Sequence, residues 1–279
     1  MKQFILDSPD ADGIVRLQGK DYHYLARVRR VRPGAVFTAL LPDGKETELT
    51  VLSVSDGVLR AQCTAPHDPV SGNLSLPPIY LFQALPKGNK MDLIVRQAAE
   101  GGIFQVCPFV SEFSQVKTTQ HGETSGPPLM AEKIRRWERI IREARQQSNS
   151  PVPTTVKAPS SAKQLLDYWQ GLKKERQRGV GILLHQDPPG TPTGHSEGSP
   201  LAQLTFHDYL SDSPEFVVLA VGPEGGFSSG EAAEFQAAGF RPLQMGNTIL
   251  RTETAALYGA AAIRIILLES AAWAPKIRQ

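Results

Sequence analysis

The pattern of apolar and polar positions changes rhythm once along this chain, near residue 70. Before that point, short apolar runs at 13–17, 35–41, 46–52 and 58–63 predict β-strands. Pro42-Asp-Gly44 and Ser55-Asp-Gly57 supply hairpin-type turn chemistry between them. One helical stretch, 21–30, interrupts the series. Closely spaced strands with a single helix predict a small β-barrel. Pro66, Pro69, Ser71 and Gly72 then mark a linker.

From residue 74 the spacing alternates between strand and helix. Strands are expected at 79–84, 104–110 and 180–184, and helices at 89–100, 129–147, 162–172 and 252–269. On the 129–147 helix, Ile134, Trp137, Ile140, Ile141 and Ala144 form one apolar stripe. Alternation of this kind predicts an α/β domain with a mostly parallel sheet covered by helices on both faces. The stretch 186–214, rich in Pro, Gly, Ser and Thr, reads as a surface loop or insertion without a chemical role.

Two further segments have a distinct shape. Val218-Leu-Ala-Val-Gly-Pro-Glu-Gly-Gly226 and Leu243-Gln-Met-Gly246 each run from an apolar strand into a glycine turn and then toward a helix. In α/β proteins, ligands bind in crevices at the carboxyl ends of strands. Ser228 and Glu231 have the spacing of a capping box, which sets a helix start just past the first turn. Glu224 stands among the glycines of that turn, where it repels a phosphate and suits a cationic ligand. Neither the dinucleotide nor the P-loop glycine pattern occurs, which disfavours a nucleotide-dependent dehydrogenase.

Composition narrows the picture further. The 279 residues suffice for two domains, and the formal net charge of +2 means that any nucleic-acid partner must be met by local patches. Cys63 and Cys107 stand far apart without a metal or disulfide pattern, as expected of a reducing cytoplasm. The histidines lack metal-ligand spacing, so no metal is expected. The N-terminal apolar run is too short for a signal peptide, and Arg264 interrupts the apolar 255–268 segment, so no membrane span is expected.

Gly222-Pro-Glu-Gly-Gly-Phe-Ser with Glu231, and Gly246 followed by Ile249-Leu-Arg-Thr-Glu-Thr-Ala255, resemble the two signature segments of the ribosomal RNA small subunit methyltransferase E family. His23-Tyr-Leu-Ala-Arg-Val-Arg-Arg30 is similar to that family's N-terminal RNA-binding motif. Lys87-Gly-Asn-Lys-Met-Asp92, Pro108-Phe-Val-Ser-Glu-Phe-Ser114 and 133–147 resemble its middle segments. Departures occur at Glu100-Gly-Gly102, Gln146-Gln-Ser-Asn-Ser150 and Val28-Arg-Arg30, outside the two glycine-turn segments.

The resemblance implies a PUA-like RNA-binding β-barrel at 1–70 and a trefoil-knotted SPOUT methyltransferase domain at 74–279. It also implies a cytoplasmic homodimer that uses S-adenosyl-L-methionine to form N3-methyluridine in 16S ribosomal RNA of the small ribosomal subunit. The cofactor-binding positions it implies are Leu184, Gly222, Pro223, Glu224, Gly225, Gly226, Leu243, Met245, Gly246, Ile249, Leu250 and Thr254. Uracil N3 loses a proton on transfer, and negative charge grows on the flanking oxygens. The always-charged Arg251 suits that role, with Glu253 a second catalytic candidate. An acid near a helix start also favours the macrodipole, so Glu253 has a structural reading too. Candidate RNA contacts are Arg27, Arg29 and Arg30, with Arg27 and Arg30 sharing a helix face, together with Lys87 and Lys90 beside the crevice. Rival readings are a methyltransferase of another RNA, such as transfer RNA, and a non-catalytic RNA-binding ribosome-assembly protein.

Overall fold

A computed structural model describes residues 4–6, 9–66, 76–114, 127–185, 206–210, 213–245 and 248–270. The chain forms two compact units. One takes the residues up to 73 together with 142–153, and the other takes 74–141 and 154 onward.

The first unit is a five-stranded mixed sheet, a half-barrel. Its strands are β1 (Phe4–Ile5), β2 (Ile14–Leu17), β3 (Val36–Leu40), β4 (Glu46–Ser55) and β5 (Val58–Cys63), in the order β1-β3-β4-β5-β2. All pairings are antiparallel except β1 with β3. β4 and β5 meet at Asp56-Gly57, whose φ values of 49° and 77° give the left-handed backbone that a two-residue hairpin needs. Alternate residues of β4 (Thr47, Leu49, Val51) point inward, and Leu49 and Val51 join Leu17, Leu25, Leu59 and Ala61 in the core. Within this unit, the Arg142 guanidinium donates to the Ile5 carbonyl at 2.8 Å.

The helix expected at 21–30 takes another form. α1 (Gly19–Tyr22) runs into a π-helical turn, His23–Val28, in which Arg29 N–H reaches back five residues to the Tyr24 carbonyl at 2.9 Å. Arg30 has φ 52° and lies beyond the turn. Arg27 and Arg30 are therefore not one α-helical turn apart. Wide turns of this kind often mark functional positions.

The second unit is a parallel sheet in the order β12-β10-β11-β6-β7-β8, with β9 also pairing β7. Its strands are β6 (Ile79–Ala84), β7 (Gln105–Val110), β8 (Thr155–Val156), β9 (Ser160–Ser161), β10 (Gly179–Leu184), β11 (Phe216–Val221) and β12 (Phe240–Leu243). The helices are α2 (Lys90–Glu100), α3 (Pro127–Ser148, which continues into the first unit), α4 (Ala162–Glu175), α5 (Phe206–Leu210), α6 (Ser229–Ala237) and α7 (Thr252–Ser270). Every residue of β6 and β11 is buried, as parallel strands covered on both faces require. The core on one face gathers Phe82, Phe109, Trp169, Phe216, Phe235 and Phe240.

Two expectations are corrected. The loop expected over 186–214 contains a helix, α5, whose Leu210 is buried and whose His207 lies 3.4 Å from Glu269 of α7. Residues 186–205, 211 and 212 lie outside the described residues. The strand expected to begin near Leu243 ends there instead. β12 carries Pro242, which lacks an N–H and is tolerated because β12 is an edge strand.

Candidate functional site

Three neighbouring strands of the parallel sheet end level with one another. Leu184, at the end of β10, is in register with Val221 on one side and Leu243 on the other. Beyond these ends the 222–226 turn, Leu243, Met245 and residues 248–250 wall a cleft of about 720 Å³. That size falls within the range of small-molecule sites. No metal-type cluster of His, Cys, Asp and Glu occurs among the described residues.

The first turn is tight enough to require its glycines. A Cβ on Gly222 would stand 2.9 Å from the Gly226 carbonyl carbon, and Gly226 has φ 72°. The Gly226 N–H closes the bend onto the Pro223 carbonyl at 3.0 Å. α6 then starts as its sequence foretold: Ser228 Oγ accepts from Glu231 N–H at 3.2 Å, and the Glu231 carboxylate accepts from Ser228 N–H at 3.1 Å. Glu231 also accepts Ser111 Oγ–H and Glu112 N–H, each at 2.9 Å. One carboxylate thus caps α6 and secures the loop after β7, whose Glu112 and Phe113 form part of the cleft wall.

A buried relay braces the same turn from behind. Gln83 Nε2, near the end of β6, donates to Ala84 O at 2.9 Å and to Thr252 Oγ1 at 3.0 Å. The Thr252 hydroxyl, at the first residue of α7, donates in turn to the Gly222 carbonyl at 2.7 Å. Thr252 is 4% exposed and Gln83 is fully buried. The donor direction is set because Ala84 offers Gln83 only an acceptor.

Charge gathers beside the turn. Glu224 accepts the Lys87 N–H at 3.1 Å and pairs with Lys90 Nζ at 2.7 Å. Lys90 Nζ also lies 3.6 Å from Glu253 Oε2, a buried oxygen without a hydrogen-bond partner among the described residues. Partial burial pushes the Glu224 carboxyl up. Hydrogen bonds from Lys90 and from backbone N–H groups, with the Lys90 charge, outweigh it and hold the carboxyl below the usual range. Lys90 is held above its ordinary value, chiefly by its hydrogen bond to Glu224 against a smaller burial effect. Two carboxylates against one ammonium leave a formal excess of one negative charge.

The cofactor positions expected from the sequence come together here: all of them line the cleft except Gly246, which lies outside the described residues, and Thr254, which is on α7. Arg251 is exposed at the start of α7 and makes no ion pair among the described residues. Glu253 is paired with Lys90 rather than with Arg251. Lys87 and Lys90 both engage Glu224, and Lys90 therefore shares its charge with carboxylates. Arg27, Arg29 and Arg30 belong to the first unit and are all exposed. Sequence reasoning left Glu112, Phe113, His185 and Thr252 out of the site. The Gln83–Thr252 contact spans 169 positions and leaves no local signal.

Comparison with known proteins gives this architecture a class. Residues 73–264 match the model of the RNA methyltransferase domain, and residues 17–57 match that of the RNA methyltransferase PUA domain. Ribosomal RNA small subunit methyltransferase E of Synechocystis is 30% identical over 92% of this chain and 74% of its own length. The chain belongs to the ribosomal RNA small subunit methyltransferase E family. Among solved structures, a Legionella pneumophila protein in complex with the cofactor SAM is 25% identical, with a TM-score of 0.69 and coverage of 95% of this chain and 98% of that one. The Neisseria gonorrhoeae member of the family, bound to S-adenosyl methionine, shares the fold at 24% identity, with the same TM-score and coverage.

Proposed function

We propose that this protein transfers a methyl group from S-adenosyl-L-methionine to N3 of a uridine in 16S ribosomal RNA of the small ribosomal subunit. The observation that carries the reading is the cleft at three adjacent strand ends, walled by the 222–226 turn with Leu243, Met245 and residues 248–250. The site fits the cofactor on its own chemistry. A turn that requires glycine at 222 and 226 presents bare backbone there, and an excess carboxylate nearby tolerates a cation. When bound, S-adenosylmethionine supplies an electrophilic methyl group on a sulfonium.

The chain's own residues supply the rest. The 222–226 turn and the 243–250 segment hold the cofactor through backbone groups, and the Gln83–Thr252 relay keeps the Gly222 carbonyl in place. Arg251 offers its guanidinium to the uracil oxygens as the N3 proton passes to solvent water. Glu253, 13% exposed in its side chain and 3.6 Å from Lys90, serves mainly to place Lys90. The target base must leave any duplex for N3 to be reached. Exposed Arg27, Arg29 and Arg30 supply phosphate contacts from a PUA-like domain at 1–70, ahead of a knotted SPOUT domain at 74–279.

A homodimer fits the apolar surface of the helical layer, where Leu93 of α2 and Leu257, Tyr258 and Ile265 of α7 are exposed. No helix among the described residues is long and apolar enough to cross a membrane, and we place the protein in the cytoplasm. Calorimetric titration with S-adenosylmethionine, with mass spectrometry of ribosomal RNA from a deletion strain, tests the reading. Saturable binding and loss of N3-methyluridine are expected. Binding with unchanged N3-methyluridine redirects the enzyme to another RNA, and absence of binding leaves a non-catalytic RNA-binding protein.

A further inference from the structure

Phe113 lies on the cleft wall and is 47% exposed. An aromatic ring left this open ordinarily belongs to a loose loop, but this loop is secured on several sides. Glu231 accepts Ser111 Oγ–H and Glu112 N–H. Ser114 Oγ donates to the Leu85 carbonyl at 3.1 Å and accepts Ser111 N–H at 3.2 Å. Ser114 N–H closes onto the Ser111 carbonyl at 2.9 Å.

The main chain of Gly225 lies against one side of the ring. A Cβ on Gly225 would fall 3.1 Å from Phe113 Cβ and 3.4 Å from its Cγ, so the phenylalanine packs closely on a glycine, and a larger residue there would have to displace the ring. Ile249, 82% exposed, contributes a second open apolar side chain to the same cleft. A held ring, backed by bare main chain and open toward the cleft, has the form of a stacking platform. Base–aromatic stacking tolerates any base because every base has a π-face.

We propose that Phe113 stacks on a nucleobase of the RNA substrate and so positions the strand at the methyl-transfer cleft. This rests on the RNA methyltransferase reading above. The same flat heteroaromatic chemistry occurs in the adenine of the cofactor, and the high exposure of Phe113 favours the RNA.

The test compares Phe113→Ala, Phe113→Leu and Phe113→Trp in the full chain. Two binding readouts do not depend on turnover: anisotropy of a labelled uridine-rich single-stranded oligoribonucleotide, and calorimetric titration with S-adenosylmethionine. Methyl transfer to small-subunit ribosomal RNA is measured alongside. Phe113→Ala and Phe113→Leu should weaken RNA binding about five- to a hundredfold, the range of a lost stack, with cofactor affinity within about twofold of wild type. Phe113→Trp should restore it. Leucine performing as well as phenylalanine would overturn the proposal, because apolar area alone would then suffice. Equal loss of cofactor affinity would assign the ring to adenine instead. Failure of the wild type to methylate ribosomal RNA would count against the substrate reading only, because the oligonucleotide comparison stands without it.

Discussion

Replacing Thr252 by Val removes one oxygen and keeps the β-branched shape, so it isolates the hydroxyl relay behind the 222–226 turn. In the wild type that hydroxyl donates 2.7 Å to the Gly222 carbonyl and accepts 3.0 Å from Gln83 Nε2, in a setting with 4% exposure. The substitution leaves a buried carbonyl without this donor and strips Gln83 of one of its two acceptors. An orphaned buried polar group costs about 1–3 kcal/mol. Gln83 keeps Ala84 O, so about 2 kcal/mol in total is a fair magnitude. For a unit of this size that lowers the melting temperature by roughly 4–8 °C. Because the loosened carbonyl belongs to the turn proposed to hold the cofactor, S-adenosylmethionine affinity should fall about tenfold, and Thr252→Ser should recover both values.

Thr252 also lines the cleft, so a direct contact with the cofactor needs separating from the relay. Gln83 is not among the lining residues, and Gln83→Met removes the donor from behind. In the double variant the amide is no longer stranded, so the two losses should be less than additive by about 1 kcal/mol. Thermal melts and calorimetry on the four proteins give both numbers. Strict additivity, or a Thr252→Val protein that melts and binds like the wild type, would refute the relay.

Arg251→Ala should lower kcat about a hundredfold while leaving cofactor affinity nearly unchanged, and equal loss of both would give Arg251 a structural role. Gly222→Ala forces a Cβ to 2.9 Å from the Gly226 carbonyl carbon, so cofactor binding should vanish from calorimetric titrations. Gly225→Val should also weaken binding, because the side chain presses on Phe113, and Phe113→Ala should partly relieve it. Lys90→Met should cost about 1 kcal/mol at neutral pH. Glu224 is held low and Lys90 high, so the pair's contribution is complete between their ordinary values of 4.5 and 10.5. It is lost as acid passes below the lowered Glu224 value, and as base passes above the raised Lys90 value. Denaturant unfolding across pH should show wild type and variant converging only at those extremes.

The parts of this molecule that local chemistry dictates were legible in its sequence. β6, apolar but for Gln83, and the fully apolar β11, with the Ser228–Glu231 capping box and the Asp56-Gly57 turn, are each specified by residues within a few positions of one another. So was the resemblance that drew the two glycine-turn segments together. Contacts across sequence were not. Nothing near Glu231 tells that its carboxylate also fastens residues 111 and 112, and nothing near Thr252 points to Gln83. The π-helical turn at His23–Val28 was read as an ordinary helix because apolar spacing does not distinguish a bond to the fourth residue back from one to the fifth. β1 and β8, two residues each, are too short to leave any periodicity.

By this reading the cleft at the ends of β10, β11 and β12 delivers a methyl group to small-subunit ribosomal RNA. Incubating the purified chain with that RNA and isotopically labelled S-adenosylmethionine, followed by nucleoside mass spectrometry, addresses it directly. Labelled N3-methyluridine should appear with the wild type and be absent with Gly222→Ala. A wild-type protein that binds the methyl donor but leaves every uridine unlabelled, in naked RNA and in assembled subunits alike, would contradict it.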